Sequence, residues 1–165
     1  MVPLILLLIS VVSSQVVPPP DYTTQLNVVY VTVGDWQGIM DLYLPPGDNN
    51  TLAIHVHGGA FVIGSRADDT DFRPFFNLRY AVANIDYRLA GTAPAPAAII
   101  DVRSALIYAM TNAKILRINP KRIVMSGTSA GGFLALVAGL LGNRRTFDNP
   151  NNLTWIKNEL NFYQK

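Results

Sequence analysis

The chain has 165 residues, half of them apolar, carries a formal net charge of +2 and contains no cysteine. Such a length and composition give one globular domain able to bury a real core. Scattered Lys and Arg without a basic patch argue against nucleic acid, the lack of cysteine removes disulfides, thiolate metal sites and a cysteine nucleophile, and two histidines, His55 and His57, argue against a histidine-rich metal centre.

Residues 2–12 form an uncharged apolar run too short to span a bilayer, and Ser13-Ser14-Gln15 offers small residues for cleavage. Residues 1–14 therefore read as a signal peptide, with the mature protein secreted and not stably inserted in a membrane. The run lacks Lys and Arg, so an uncleaved anchor or a buried strand is the alternative. Residues 15–25 read as an extended leader held open by Pro18-Pro19-Pro20. In a eukaryotic host, Asn49-Asn50-Thr51 and Asn152-Leu153-Thr154 would be glycosylation sequons in polar loops.

From Thr24 apolar and polar residues alternate through Val29, Val31 and Val33; a turn over residues 34–38 and a return over 39–44 predict an antiparallel hairpin closed by Pro45-Pro46-Gly47. Residues 52–56 and 80–85 are nearly continuous apolar runs, the mark of parallel strands buried on both faces. Residues 97–116 put Ile99, Val102, Leu106, Met110 and Ala113 at helical spacing, and Asn119-Pro120 ends that helix ahead of a third strand, residues 123–125. Asp68, Asp69 and Asp71 read as a solvated loop and helix cap, Asp86 and Asp101 as fold-maintaining ion pairs or caps, and His55 as a satisfied core residue. Hairpin, strand, helix, strand, helix is an α/β order: a mostly parallel, doubly wound sheet with an antiparallel start and helices on both faces.

Gly127-Thr128-Ser129-Ala130-Gly131 follows the third strand at once, and a dozen helix formers come next. A strand, a tight turn with serine at its tip and a helix make a nucleophile elbow, whose flanking glycines are required because strand and helix pass too close for side chains. Ser129 would stand exposed at a helix N-terminus, where the N–H of Ala130 can stabilise an oxyanion. Upstream, the strand over residues 52–56 stops at His57-Gly58-Gly59, and the unshielded amides of Gly58 and Gly59 can approach a substrate oxygen. With Ala130 they would form a three-donor oxyanion hole, each donor worth about 3 kcal/mol of transition-state stabilisation. A glycine-rich loop before a buried helix, and a Gly-Gly turn that merely ends a strand, are the alternatives.

Taken in order, His57-Gly58-Gly59-Ala60, Asp86-Tyr87-Arg88-Leu89 and Arg122-Ile123 leading into Gly127-Thr128-Ser129-Ala130-Gly131-Gly132 resemble the N-terminal half of an α/β-hydrolase. The type is the hormone-sensitive-lipase and carboxylesterase one, BD-FAE-like, and the resemblance covers residues 26–142. It implies Ser129 as nucleophile, Gly58, Gly59 and Ala130 as oxyanion hole, and hydrolysis of a small-molecule carboxylic ester through an acyl-serine, with no metal and no cofactor. Two departures stand out. Ala60 replaces the lipase branch's third glycine, and the fold's order of Ser, then acid, then His fails, since Asp148 and Glu159 follow Ser129 but no histidine does.

The strands that would carry an acid and a base are missing, and residues 143–165 form a polar, asparagine-rich tail in which 153–163 can form one short helix. His57 as substitute base is the minor reading; its expected work is to hold the loop by hydrogen bonds. The expectation is therefore a truncated hydrolase, slow or inactive alone, and the alternative a secreted non-catalytic pseudohydrolase acting as a ligand-binding or assembly protein. An unpaired edge along residues 123–125 and a helix over 133–141 that is apolar nearly all round predict self-association.

Overall fold

The computed structural model describes residues 15–141 together with Phe147 and Asn149. The expected signal peptide, the rest of the tail and the second sequon lie outside the described residues. Among the described residues no helix is long and apolar enough to cross a membrane.

Strands β1 (Thr23–Val33) and β2 (Trp36–Leu44) form the expected hairpin, pairing Val33 with Trp36 and Thr23 with Leu44. The turn is tighter than the sequence suggested: Gly34-Asp35 alone, with Gly34 at φ 57°. Gly38 lies inside β2, where a Cβ would fall 2.5 Å from the Tyr30 ring. Glycine there makes room for an aromatic side chain. Pairing begins at Thr23, inside the segment expected as a leader.

Next come β3 (Asn50–Val56), β4 (Ala81–Ile85) and β5 (Ile118–Gly127), in the sheet order β1-β2-β4-β3-β5. β4 is antiparallel to β2, while β4 and β5 are both parallel to β3. The result is a mixed sheet with three parallel strands at its functional end. Every residue of β4 is buried, as coverage of both faces requires. Alternation sends Leu52, Ile54, Val56, Ala81, Ala83 and Ile85 to one face, under α2 (Ala97–Thr111) and α3 (Ala130–Leu141). Tyr43 and Val82 point to the other face, against Phe72 and Phe76 at α1 (Arg73–Asn77). Each fully buried aliphatic side chain stabilises the fold by about 1.5–3 kcal/mol.

The helix expected over residues 97–116 stops at Thr111. Asn112 turns its side-chain amide back onto the Tyr108 carbonyl at 2.8 Å, and Arg117 adopts φ 55° before β5 begins. The buried face of α2 also differs from the expected stripe: Val102, Ala105 and Ala109 are inside, with Ile99 and Leu106 at their flanks. β5 reaches back to Ile118 with an irregular register between Asn50 and Leu52, and among the described residues it is an edge strand.

Candidate functional site

Because β3 and β5 are parallel neighbours, their C-terminal ends, Val56 and Gly127, deliver two loops to one place. At the end of β5 the backbone turns so sharply that a Cβ on Gly127 would lie 2.4 Å from the Gly131 carbonyl carbon. A Cβ on Gly131 would lie 2.0 Å from Val56 O and 2.3 Å from His57 O. The glycine spacing seen in the sequence thus answers a backbone clash. Thr128 N–H donates to Val56 O at 3.2 Å and Gly131 N–H to Thr128 O at 2.8 Å, which fixes the turn. Ser129 is exposed at its tip with φ 51°, a left-handed conformation that costs a non-glycine residue about 1–3 kcal/mol.

The β3 loop passes directly beside this turn. A Cβ on Gly58 would lie 3.0 Å from Thr128 O and 3.5 Å from the Ser129 Cβ. Gly59, at φ 107°, has its carbonyl oxygen taken by the N–H groups of Val62 and Ile63. The left-handed path continues through Ala60 at φ 51° and Phe61 at φ 66°. The alanine standing where the resemblance expects glycine therefore occupies a conformation glycine prefers. Among the described residues no acceptor engages the N–H groups of Gly58, Gly59 or Ala130. Gly58 and Ala130 adjoin Ser129, and Gly59 follows in the same loop. Phe61 and Phe133 meet edge to face at 6.0 Å and give the site an aromatic flank.

Residues around the loop hold it in place. His57 is 1% exposed, its Nδ1 is 2.7 Å from Gly58 O, and its ring stacks on Tyr87 at 4.3 Å. The Tyr87 hydroxyl lies 3.2 Å from both His57 O and Gly58 O, and burial raises its pKa, so it remains a donor. At the loop's far end Arg66 pairs with Asp86 and with Asp41 at 2.9 Å, while its backbone N–H donates to Asp86 Oδ1 at 2.7 Å. Asp101, fully buried, accepts from the Arg88 guanidinium at 2.7 Å and from the Arg88 backbone N–H at 2.9 Å. Asp86 and Asp101 are the ion-pair residues the sequence suggested.

The acidic cluster divides. Asp68 accepts from Ser65 N–H at 2.7 Å, and Asp71 is held at a pKa of about 2 by the Arg73 side chain, yet α1 has no side-chain cap. Asp69 is not merely solvated: its Oδ2 lies 3.0 Å from His55 Nε2. That contact and the role of Arg66 were not legible, since both join distant segments through an irregular loop. For Tyr87 the Asp-Tyr-Arg run was the available signal. Among the described residues neither histidine and no carboxylate bonds the Ser129 hydroxyl, and no group of three metal-binding side chains exists.

A family model described as BD-FAE matches residues 40–162. An arylesterase of Saccharolobus solfataricus is 33% identical over 139 residues, covering 82% of this chain and 44% of that protein. Carboxylesterase NlhH of Mycobacterium tuberculosis is 33% identical over 135 residues, covering 77% and 42%. A solved arylesterase structure superposes with a TM-score of 0.68 at 29% identity, over 82% of this chain and 46% of that one. The chain thus spans less than half the length of the curated relatives it matches.

Proposed function

Since the chain belongs to the BD-FAE family, within the α/β-hydrolases of carboxylesterase type, we propose that it carries the nucleophile and oxyanion half of a serine esterase acting on a small carboxylic ester. Ser129 Oγ attacks the acyl carbon and the N–H groups of Gly58, Gly59 and Ala130 receive the developing oxyanion; the tetrahedral intermediate then expels the alcohol, which carries off the serine proton, and water opens the acyl-serine that remains. The observation that carries this reading is the approach of Gly58 to within 3.5 Å, Cβ position to Cβ, of Ser129 on a strained tip.

Both histidines precede Ser129 and both are engaged elsewhere, His57 with Gly58 O and His55 with Asp69. Without a base the hydroxyl stays protonated, and rate enhancement from the oxyanion hole and binding alone is about 10³–10⁴ over water. The 165-residue chain alone is therefore a weak acyl acceptor without useful turnover. The same observation favours a second reading, a pseudohydrolase that binds acyl ligands without cleaving them. The apolar run at residues 2–12 supports export from the cell.

Incubation with p-nitrophenyl acetate followed by fragment-ion mass spectrometry tests the first reading. Slow acetylation that maps to Ser129, lost at that site in S129A, is expected. An unmodified Ser129 after prolonged incubation would leave only the binding protein.

A further inference from the structure

On the face of the sheet away from α2 and α3 a second serine carries its own base. The β3–β5 register sets His55 opposite Ser126. Ser126 Oγ lies 3.1 Å from His55 Nδ1, and His55 Nε2 lies 3.0 Å from Asp69 Oδ2. The Phe72 ring packs edge-on against the imidazole at 5.2 Å, which fixes its plane. A carboxylate at Nε2 accepts that nitrogen's proton in a hydrogen bond and leaves the Nδ1 lone pair free to accept from an alcohol. The competing acceptor for the Ser126 hydroxyl, Ile54 O, is farther away at 3.4 Å.

Alcohol, imidazole and carboxylate within bonding reach, in that order, form the constellation that activates a serine, and it is recognised by geometry rather than by position in the chain. The two ring nitrogens are exchanged relative to the usual protease arrangement, which leaves the proton path intact. Access comes from the edge of the sheet: among the described residues β5 is terminal, and Val124, two residues earlier on the same face, is 40% exposed. The Asp69 side chain is 29% and the His55 side chain 12% exposed.

We propose that Ser126, His55 and Asp69 form a second nucleophilic site that accepts acyl groups from activated esters. Ser126 Oγ attacks the acyl carbon as its proton passes to His55 Nδ1. The bond to the leaving oxygen breaks, and the alkoxide or phenolate departs with the electron pair and takes up that proton. Ser126 sits within β5, its hydroxyl turned to His55 rather than standing at the tip of the turn as Ser129 does, so base activation acts there without the amides that serve Ser129. Esters with a good leaving group, such as aryl esters, are the donors this site can use; unactivated alkyl esters are not.

The experiment uses the S129A chain with p-nitrophenyl acetate and fragment-ion mapping of the acetyl group. Acetyl-Ser126 is expected, reduced at least tenfold by adding H55Q and severalfold by adding D69N. The D69N change, on a partly exposed loop, decides the matter if H55Q disturbs the fold as judged by circular dichroism. A Ser126 that stays unmodified, or that is acetylated equally in the D69N chain, overturns the proposal. Acetyl on Ser129 but not on Ser126 in the unaltered chain sinks this site and spares the esterase reading; the reverse pattern does the opposite.

Discussion

At the scale of single residues, the site is governed by missing Cβ atoms. Gly131 faces Val56 O and His57 O at distances no methyl group can share, so G131A must push the α3 start away from β3 or fail to form the turn. Destabilisation of about 3 kcal/mol or more is expected, read as a lowered urea midpoint, and acetylation of Ser129 should vanish with it. An unchanged midpoint would mean the turn is not built as described. This part of the site was legible in the sequence because steric demand is local: a serine between glycines two residues away on either side states its own geometry. The pairing of His55 with Asp69 was not legible, because nothing in a polar loop announces which of three aspartates will reach back to a strand.

Among the elements, α2 depends on one charge pair. Asp101 is wholly buried and the Arg88 side chain is 12% exposed, and the pair ties the segment after β4 to the first turns of α2. Removing the carboxylate in D101A strands a guanidinium in a closed space, and a loss of about 3–5 kcal/mol is expected. Chemical denaturation of D101A beside an R88M/D101A double variant checks this, since the double change should recover part of the loss. Recovery of nothing would put the cost in packing rather than in the orphaned charge. Strand order and helix order followed from apolar runs whose length and continuity differ between the two element types. Element ends were less legible. The α2 stripe shifted onto Ala105 and Ala109 because small residues let a helix approach its neighbours, and hydropathy alone favours the larger side chains beside them. The five-residue α1 is too short to display a period at all.

Taken whole, the described molecule has one finished side and one open side. Beyond β5, a groove of about 600 Å³ runs between that strand and α3, lined by Ile123, Met125, Ala135, Leu136 and Leu140 among others. Leu136 is 60% and Leu140 76% exposed. An apolar groove beside a strand edge left unpaired among the described residues is a pairing surface, so the 165-residue chain is expected to self-associate at micromolar concentration. Light scattering on the parent and on L136E/L140E checks this. The double variant should run as a smaller species, and a parent that remains monomeric at high concentration would show the edge to be inert.

The contact between Gly58 and the Thr128–Ser129 peptide is made by main chain from two adjacent strands, and few surface substitutions can misalign it. Main chain alone therefore sets the serine beside the glycine loop, and the alignment is inherited from the pairing of the sheet itself.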